Sequence, residues 1–308
     1  MKRLVILNPK SRHGAAEREF ASQRARWEER LGPFEFHLTR RPGDATETVR
    51  RVLREGGFDQ IIAAGGDGTV SEAFCGYWSD GEVTNPQVPL GIINLGTGGD
   101  FYRTVRNASP EYESALVENR YRLVDAGVIT KSGAEFHPFL NIASVGMAAA
   151  MLGRLKASRF QAGSAAYFLH TLVTLLRYRT RRVEIDYLDA EGNAGHREVD
   201  LINLFACNGR FSGGGMQWAP SARLDDGLLR VTLIAGKRKW PLILHARKVY
   251  GGRVAEMPGA EVRVVRELTV TCAEELGLEA DGEIVAANGF KASPLRFEVR
   301  PSAFPLIL

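Results

Sequence analysis

Cysteine is scarce in this chain and never paired in sequence. Its three cysteines, Cys75, Cys207 and Cys272, lie far apart, form no CxxC motif and are odd in number. That excludes a disulfide framework and fits a reducing compartment. The six histidines include no HExxH and share no cluster with cysteine, so zinc is not expected. Long apolar runs are missing too. The longest apolar-leaning stretch, Ser164 to Leu176, contains His170 and is too short to cross a bilayer. The opening MKRLVILNPK has only four apolar residues after its charged start, short of a secretory signal, so a cytoplasmic protein is expected. Acids are absent from two stretches. Met151 to Arg182 holds seven cations and no acid, and Gly227 to Ala255 holds seven more, among them Lys237, Arg238, Lys239 and Arg253. Such surfaces suit anionic membranes, phosphates or nucleic acid, and equally suit an ordinary solvated face.

What is present describes a globular protein. The chain has 308 residues, 44% hydrophobic and 25% charged, enough for about two domains. RLVILNP and FDQIIAAGG read as buried strands, FEFHLT as an alternating one, and Ala15 to Leu31 as a helix. Asp44 to Glu55 is expected to be helical, with Asp44 as N-cap and Glu47 completing a capping box. Strand and helix alternate to about residue 120, which predicts a parallel sheet covered by helices. After Asp125 one long helix, Ser158 to Arg177, is expected among short β-rich segments such as RRVEIDYLD, HREVDLINLFACN and GLLRVTLI. These predict an antiparallel β domain. The expected division is an α/β nucleotide-binding domain over 1–124 and a β-rich substrate domain over 125–308, with a return of the last strand to the first domain left open.

Two glycine loops follow apolar strands: GGDGTV, residues 65–70, and GTGGDF, residues 96–101. Neither is a Walker loop, and neither completes GxGxxG, because Ser71 stands sixth counting from Gly66 and Phe101 closes the second. Glycines let a backbone approach a ligand, and a helix start offers N–H groups to an anion. GGDG alone reads as well as a tight turn. With NPKSRHG after the first strand, three strand ends converge on one crevice at the sheet's carboxyl edge. Asp67 and Asp100 there suit Mg²⁺, which turns carboxylate–phosphate repulsion into attraction.

NPKSRHG, GGDGTVSEA and LGTGGDF resemble the nucleotide-binding motifs of the diacylglycerol kinase-like lipid kinases, a family that includes bacterial lipid kinases and the sphingosine and ceramide kinases. The similarity continues in order through LVDAG, NIASVG, NGRFSGGG, PSARLDDGLLRV and LEADGE. It implies an α/β domain followed by a β-sandwich domain, with the active site in the cleft. It also implies Mg²⁺-dependent transfer of the γ-phosphoryl group of ATP to a lipid hydroxyl, on a diacylglycerol-like or sphingoid acceptor. By this resemblance Asn8, Ser11, Thr39, the run Gly65, Gly66, Asp67, Gly68, Thr69, Val70 and Ser71, and Thr97 contact the nucleotide. Glu283 is implied as general base with Asp281 beside it, and Asp67 joins the catalytic set. A second, structural Mg²⁺ is implied on Asp226 and the carbonyls of Arg223 and Leu228, with Asp225 as alternative ligand. Asp100 and Asp125 are further metal candidates. Without the resemblance, Asp-Gly in ADGEIV and in LDDG reads as a turn pair.

Two positions depart from the family pattern. Gly99 stands where GTxNDF has Asn, and Ser71 stands where Asn usually precedes Glu72. Each removes a side-chain amide near the crevice. The leading expectation is a lipid kinase that visits an anionic membrane peripherally, with its acceptor site lined by apolar residues of AAYFLHTLVTLL or with those residues simply in the core. A soluble kinase of the NAD-kinase type and a non-catalytic nucleotide- or membrane-binding regulator are the alternatives. Nucleic acid is not expected as a partner, and a homodimer is left open.

Overall fold

The computed structural model describes residues 1–131, 135–157, 164–290 and 294–308. They form two compact units: Met1–Ala126 with Pro301–Leu308, and Gly127–Arg300. The first opens with β1 (Arg3–Leu7), a one-turn α1 (Ser11–Gly14), α2 (Ala16–Leu31), β2 (Glu35–Leu38) and α3 (Asp44–Glu55). There follow β3 (Gln60–Gly65), α4 (Asp67–Gly76), the short pair β4 (Trp78–Ser79) and β5 (Glu82–Val83), β6 (Leu90–Asn94), α5 (Asp100–Ala108), α6 (Tyr112–Glu118) and β7 (Tyr121–Lys131).

Strands of the first unit lie in the order β2-β1-β3-β6, all parallel. Every residue of β1 and β3 is buried, as a parallel sheet covered on both faces requires. Helix α3 buries Ala45, Thr48, Val49, Val52 and Leu53, one stripe at helical spacing. Gly76 lets α4 close on α3, since a Cβ there would meet Val49 at 2.6 Å. The expected capping box is not formed. Gly43, in the left-handed region, caps α3, and Asp44 instead accepts the Arg40 N–H at 2.7 Å and faces His37 at 3.2 Å. Glu47 pairs with Arg41.

The second unit continues with β8 (Glu135–Phe139), β9 (Ile142–Gly146), α7 (Met147–Ala157), α8 (Ser164–Arg177), β10 (Arg181–Asp189) and β11 (Ala194–Cys207). Next come β12 (Phe211–Ser212), β13 (Met216–Gln217), β14 (Leu229–Ala235), α9 (Trp240–His245) and α10 (Arg247–Tyr250). The chain closes with β15 (Ala260–Thr271), β16 (Leu276–Ala280), β17 (Glu283–Phe290) and β18 (Leu295–Ile307). Antiparallel pairing runs in a closed circuit, β10 to β11 to β14 to β15 and back to β10. β9, β16 and β17 extend it from β11. Val183, Ile185, Leu204, Val231, Val265, Leu268 and Phe297 fill the inside, while Phe205, Leu242 and Val249 pack a second cluster beyond β11. This is the expected sandwich-like β domain. Of the long helix expected from Ser158, residues 158–163 lie outside the described residues, and α8 covers the rest. Among the described residues, no helix is long and apolar enough to cross a membrane.

Candidate active site

Four strand ends of the first unit open at one edge and are stitched together there. The Asn8 N–H donates to the Ala64 carbonyl at 3.2 Å, Thr39 N–H to Leu7 at 2.9 Å, and Leu95 N–H to Gly65 at 2.9 Å. With β2 and β3 on opposite sides of β1, the NPKSRHG and GGDGTV loops flank a point where the connections turn opposite ways. Open parallel sheets bind ligands at such points. The Asn8 side chain accepts the Lys10 N–H at 3.0 Å and shapes the first loop, whose Ser11 N–H donates to the Asn8 carbonyl at 3.1 Å.

The two glycine loops touch backbone to backbone. A Cβ on Gly96 would come within 2.5 Å of the Gly66 Cα, so only glycine allows the approach. Gly65 leaves room for the Thr69 side chain above it. Thr69 is 3% exposed, and its Oγ1 has no hydrogen-bond partner among the described residues. A buried hydroxyl without a partner at a helix start marks a place where something else completes the bonding. Val70 N–H donates to the Gly66 carbonyl, and Ser71 is half-buried on the same helix. Gly68 and Thr97 are exposed at the loop tips.

Asp67 serves two helices at once. It is the first residue of α4, and its carboxylate accepts the N–H groups of Asp100 and Phe101, both at 3.1 Å, at the start of α5. A carboxylate facing two positive helix ends is favourably placed. Asp67 Oδ2 and Asp100 Oδ2 lie 3.1 and 3.9 Å from the position a Gly98 Cβ would take, so the two acids face one spot. Asp125 acts elsewhere. Buried on β7, it accepts the Ser302 N–H at 2.9 Å and pins the last strand.

Gly99 has a structural reason. It caps α5 with φ +60°, and a Cβ there would run into the Asn94 side-chain amide. The Asn94 Oδ1 accepts the Gly96 N–H at 3.1 Å. An amide is therefore present beside position 99, delivered from the end of β6.

In the second unit the LEADGE segment is a hairpin joining β16 to β17. Asp281 and Gly282 both have positive φ, +50° and +83°, between the paired Ala280 and Glu283, the signature of a type I′ turn. The turn reading holds. Asp281 accepts N–H bonds from Leu140 at 2.8 Å, Asn141 at 2.9 Å and Ile142 at 3.1 Å, so its carboxylate fixes the loop before β9. Glu283, the next strand residue, is exposed. Beneath them lies Glu279, which the motif reading passed over. Its Oε1 accepts the Ser144 hydroxyl at 2.6 Å and its Oε2 the Gly282 N–H at 3.1 Å. Burial, reinforced by the charges of Asp281 and Glu283, pushes its pKa up to about 7.

At PSARLDDGLLRV the residues do not fit a divalent cation. Arg230 Nη1 donates to Asp226 Oδ1 at 2.8 Å, and Arg230 Nη2 lies 2.6 Å from Oδ2. The Leu228 carbonyl accepts from the same Nη1 at 3.3 Å, and the Arg223 side chain turns to Asp225 at 3.2 Å. Asp226 and Leu228, expected on Mg²⁺, are held by a guanidinium.

A glycine-loop α/β unit paired with a β-sandwich-like unit defines the diacylglycerol kinase class of two-domain proteins. Residues 2–129 match the family model of the diacylglycerol kinase catalytic domain, and residues 141–308 that of the YegS C-terminal NAD kinase beta sandwich-like domain. The chain belongs to this YegS-like family. It is 31% identical over 97% of its length to a protein named "Probable lipid kinase YegS-like" from Pectobacterium atrosepticum, of which it covers 93%. A crystal structure described as a diacylglycerol kinase from Bacillus anthracis shares the fold, with a TM-score of 0.66, 21% identity and coverage of 99% of this chain and 96% of that one. Yeast NADH kinase shares it more distantly, with a TM-score of 0.51, 9% identity and coverage of 99% and 82%.

Proposed function

We infer that this protein is a lipid kinase, transferring the γ-phosphoryl group of ATP to a lipid hydroxyl. Membership of the family supports the class, and the observation that carries the nucleotide is the buried Thr69 hydroxyl left without a partner at the start of α4. The backbone between Gly65 and Ser71 grips phosphate oxygens, with Asn8, Ser11, Thr39 and Thr97 closing the crevice around the nucleotide. Asp67 and Asp100 are the acids that would hold Mg²⁺, which neutralises phosphate charge when bound with ATP. Asp67 also keeps the two loops and two helix starts in register.

Glu283 is the general base. It takes the proton from the lipid hydroxyl as that oxygen bonds to the γ-phosphorus and the bridging oxygen leaves with ADP. Asp281 suits this less well, because three backbone N–H groups occupy its carboxylate. It is a positioning residue that holds the turn under Glu283. The acceptor is an amphiphilic alcohol of the diacylglycerol or sphingoid type. Trp240 and Leu244, 69% and 77% exposed on α9 beside the exposed Lys237 and Arg238, supply an apolar and cationic surface for an anionic membrane, while Lys239 donates to the Leu176 and Tyr178 carbonyls.

The test is transfer from γ-labelled ATP with Mg²⁺ to a panel of dispersed lipids, with NAD⁺ as one lane. A labelled lipid is expected, and Glu283→Gln is expected to lower the rate by about 10²–10⁴-fold. Label in the NAD⁺ lane alone would replace this reading by the soluble-kinase one. ATP binding with no product in any lane would replace it by the regulator.

A further inference from the structure

We propose that Arg230 is a built-in cation: its guanidinium does permanently what a bound divalent ion would do at the 223–228 loop, so the second unit needs no structural metal. The pair Asp226–Arg230 spans one turn of chain, from the loop into β14. Arg230 is fixed in main chain by two neighbours, facing Cys207 of β11 and Val264 of β15. From there its side chain folds back over the loop and joins the Asp226 carboxylate to the Leu228 carbonyl. These are a side-chain oxygen and a main-chain oxygen, the donor types a hard cation collects.

The geometry suits a guanidinium and not an ion. Two N–H groups meet two carboxylate oxygens in a planar fork, the arrangement arginine makes and a spherical ion does not. The side chains are shielded, 9% exposed for Arg230 and 20% for Asp226. Arg230 Nε is buried and has no hydrogen-bond partner among the described residues, so the hydrogen bonds of this guanidinium run through the other two nitrogens. An incoming Mg²⁺ would have to pull Asp226 off the fork and leave a buried arginine without its counter-charge. The nearby alternative ligand, Asp225, is paired with Arg223. The role is independent of phosphoryl transfer, and it stands or falls on stability alone.

The test is thermal unfolding of the full chain without nucleotide, in EDTA and in millimolar Mg²⁺. The wild-type Tm is expected to be the same in both. Arg230→Gln is expected to lower Tm by about 10 °C in EDTA, and Mg²⁺ should recover part of that loss by entering the vacated place. The double variant Asp226→Asn with Arg230→Gln removes both charges and should ignore Mg²⁺. A wild-type Tm that rises with Mg²⁺ while the double variant's does not would overturn the proposal, as would an Arg230→Gln protein that ignores Mg²⁺. Should Arg230→Gln fail to fold, Arg230→Lys keeps the charge without the fork. An intermediate Tm is expected for it, and a wild-type Tm would count against the fork.

Discussion

Glu279 holds a buried carboxyl group between the Ser144 hydroxyl and the turn at Gly282. Its folded pKa, about 7, lies above the ordinary 4.5. The contribution of the neutral buried carboxyl is therefore fully present below about pH 4.5 and lost as pH rises through about 7. A shift of that size corresponds to about 3 kcal/mol. Glu279→Gln keeps an acceptor for Gly282 and a partner for Ser144 but cannot ionise. Denaturant unfolding at pH 5 and pH 8 should show the wild type losing stability between the two and the variant losing markedly less. Equal losses would show that Glu279 is not the group responsible. Nothing in LEADGE distinguishes this acid from its neighbours, because its burial is decided by β16 lying between β9 and β17. Arg230 and Asn94 escaped the sequence reading for a different reason: their partners are only two to five residues away, but which way each side chain folds back over its own loop is not written in the local pattern. The glycine loops were legible because close backbone approach leaves glycine as the only choice.

Elements were legible where one physical rule decided them. Apolar runs marked β1, β3 and β6, because burial on a parallel sheet imposes that pattern. The start of α3 was misread because a left-handed glycine and an Arg40 contact outcompeted the capping box. The sequence of β18 does not announce what its end does. Phe304, fully buried in the first unit, sets its ring edge-on to Phe74 at 4.8 Å and to Tyr77 at 5.0 Å, while Leu306 pairs with Leu90 of β6. Phe304→Ala should cost about 3–5 kcal/mol, read as a lower denaturation midpoint with weakened ATP binding. A cost below about 1 kcal/mol would mean that the last strand is not part of that core.

At the scale of the molecule, the fold class followed from the change of pattern near residue 125, and the uneven charge is what the proposed membrane surface rests on. Trp240 and Leu244 sharpen that second reading, since a tryptophan open to water beside lysines is placed as interfacial residues are. Sedimentation with vesicles should show binding to anionic lipid that weakens as salt rises, little binding to neutral lipid, and a clear loss for Trp240→Ala with Leu244→Ala. Equal binding by that double variant would remove the apolar part of the surface.

Residues 301–308 complete a sheet whose other strands are made some two hundred residues earlier. During synthesis, then, the first unit waits with the outer edge of β6 unpaired and the Phe304 site unfilled until those residues leave the ribosome. Translation itself times this protein: no nascent chain still lacking residues 301–308 carries a finished first unit.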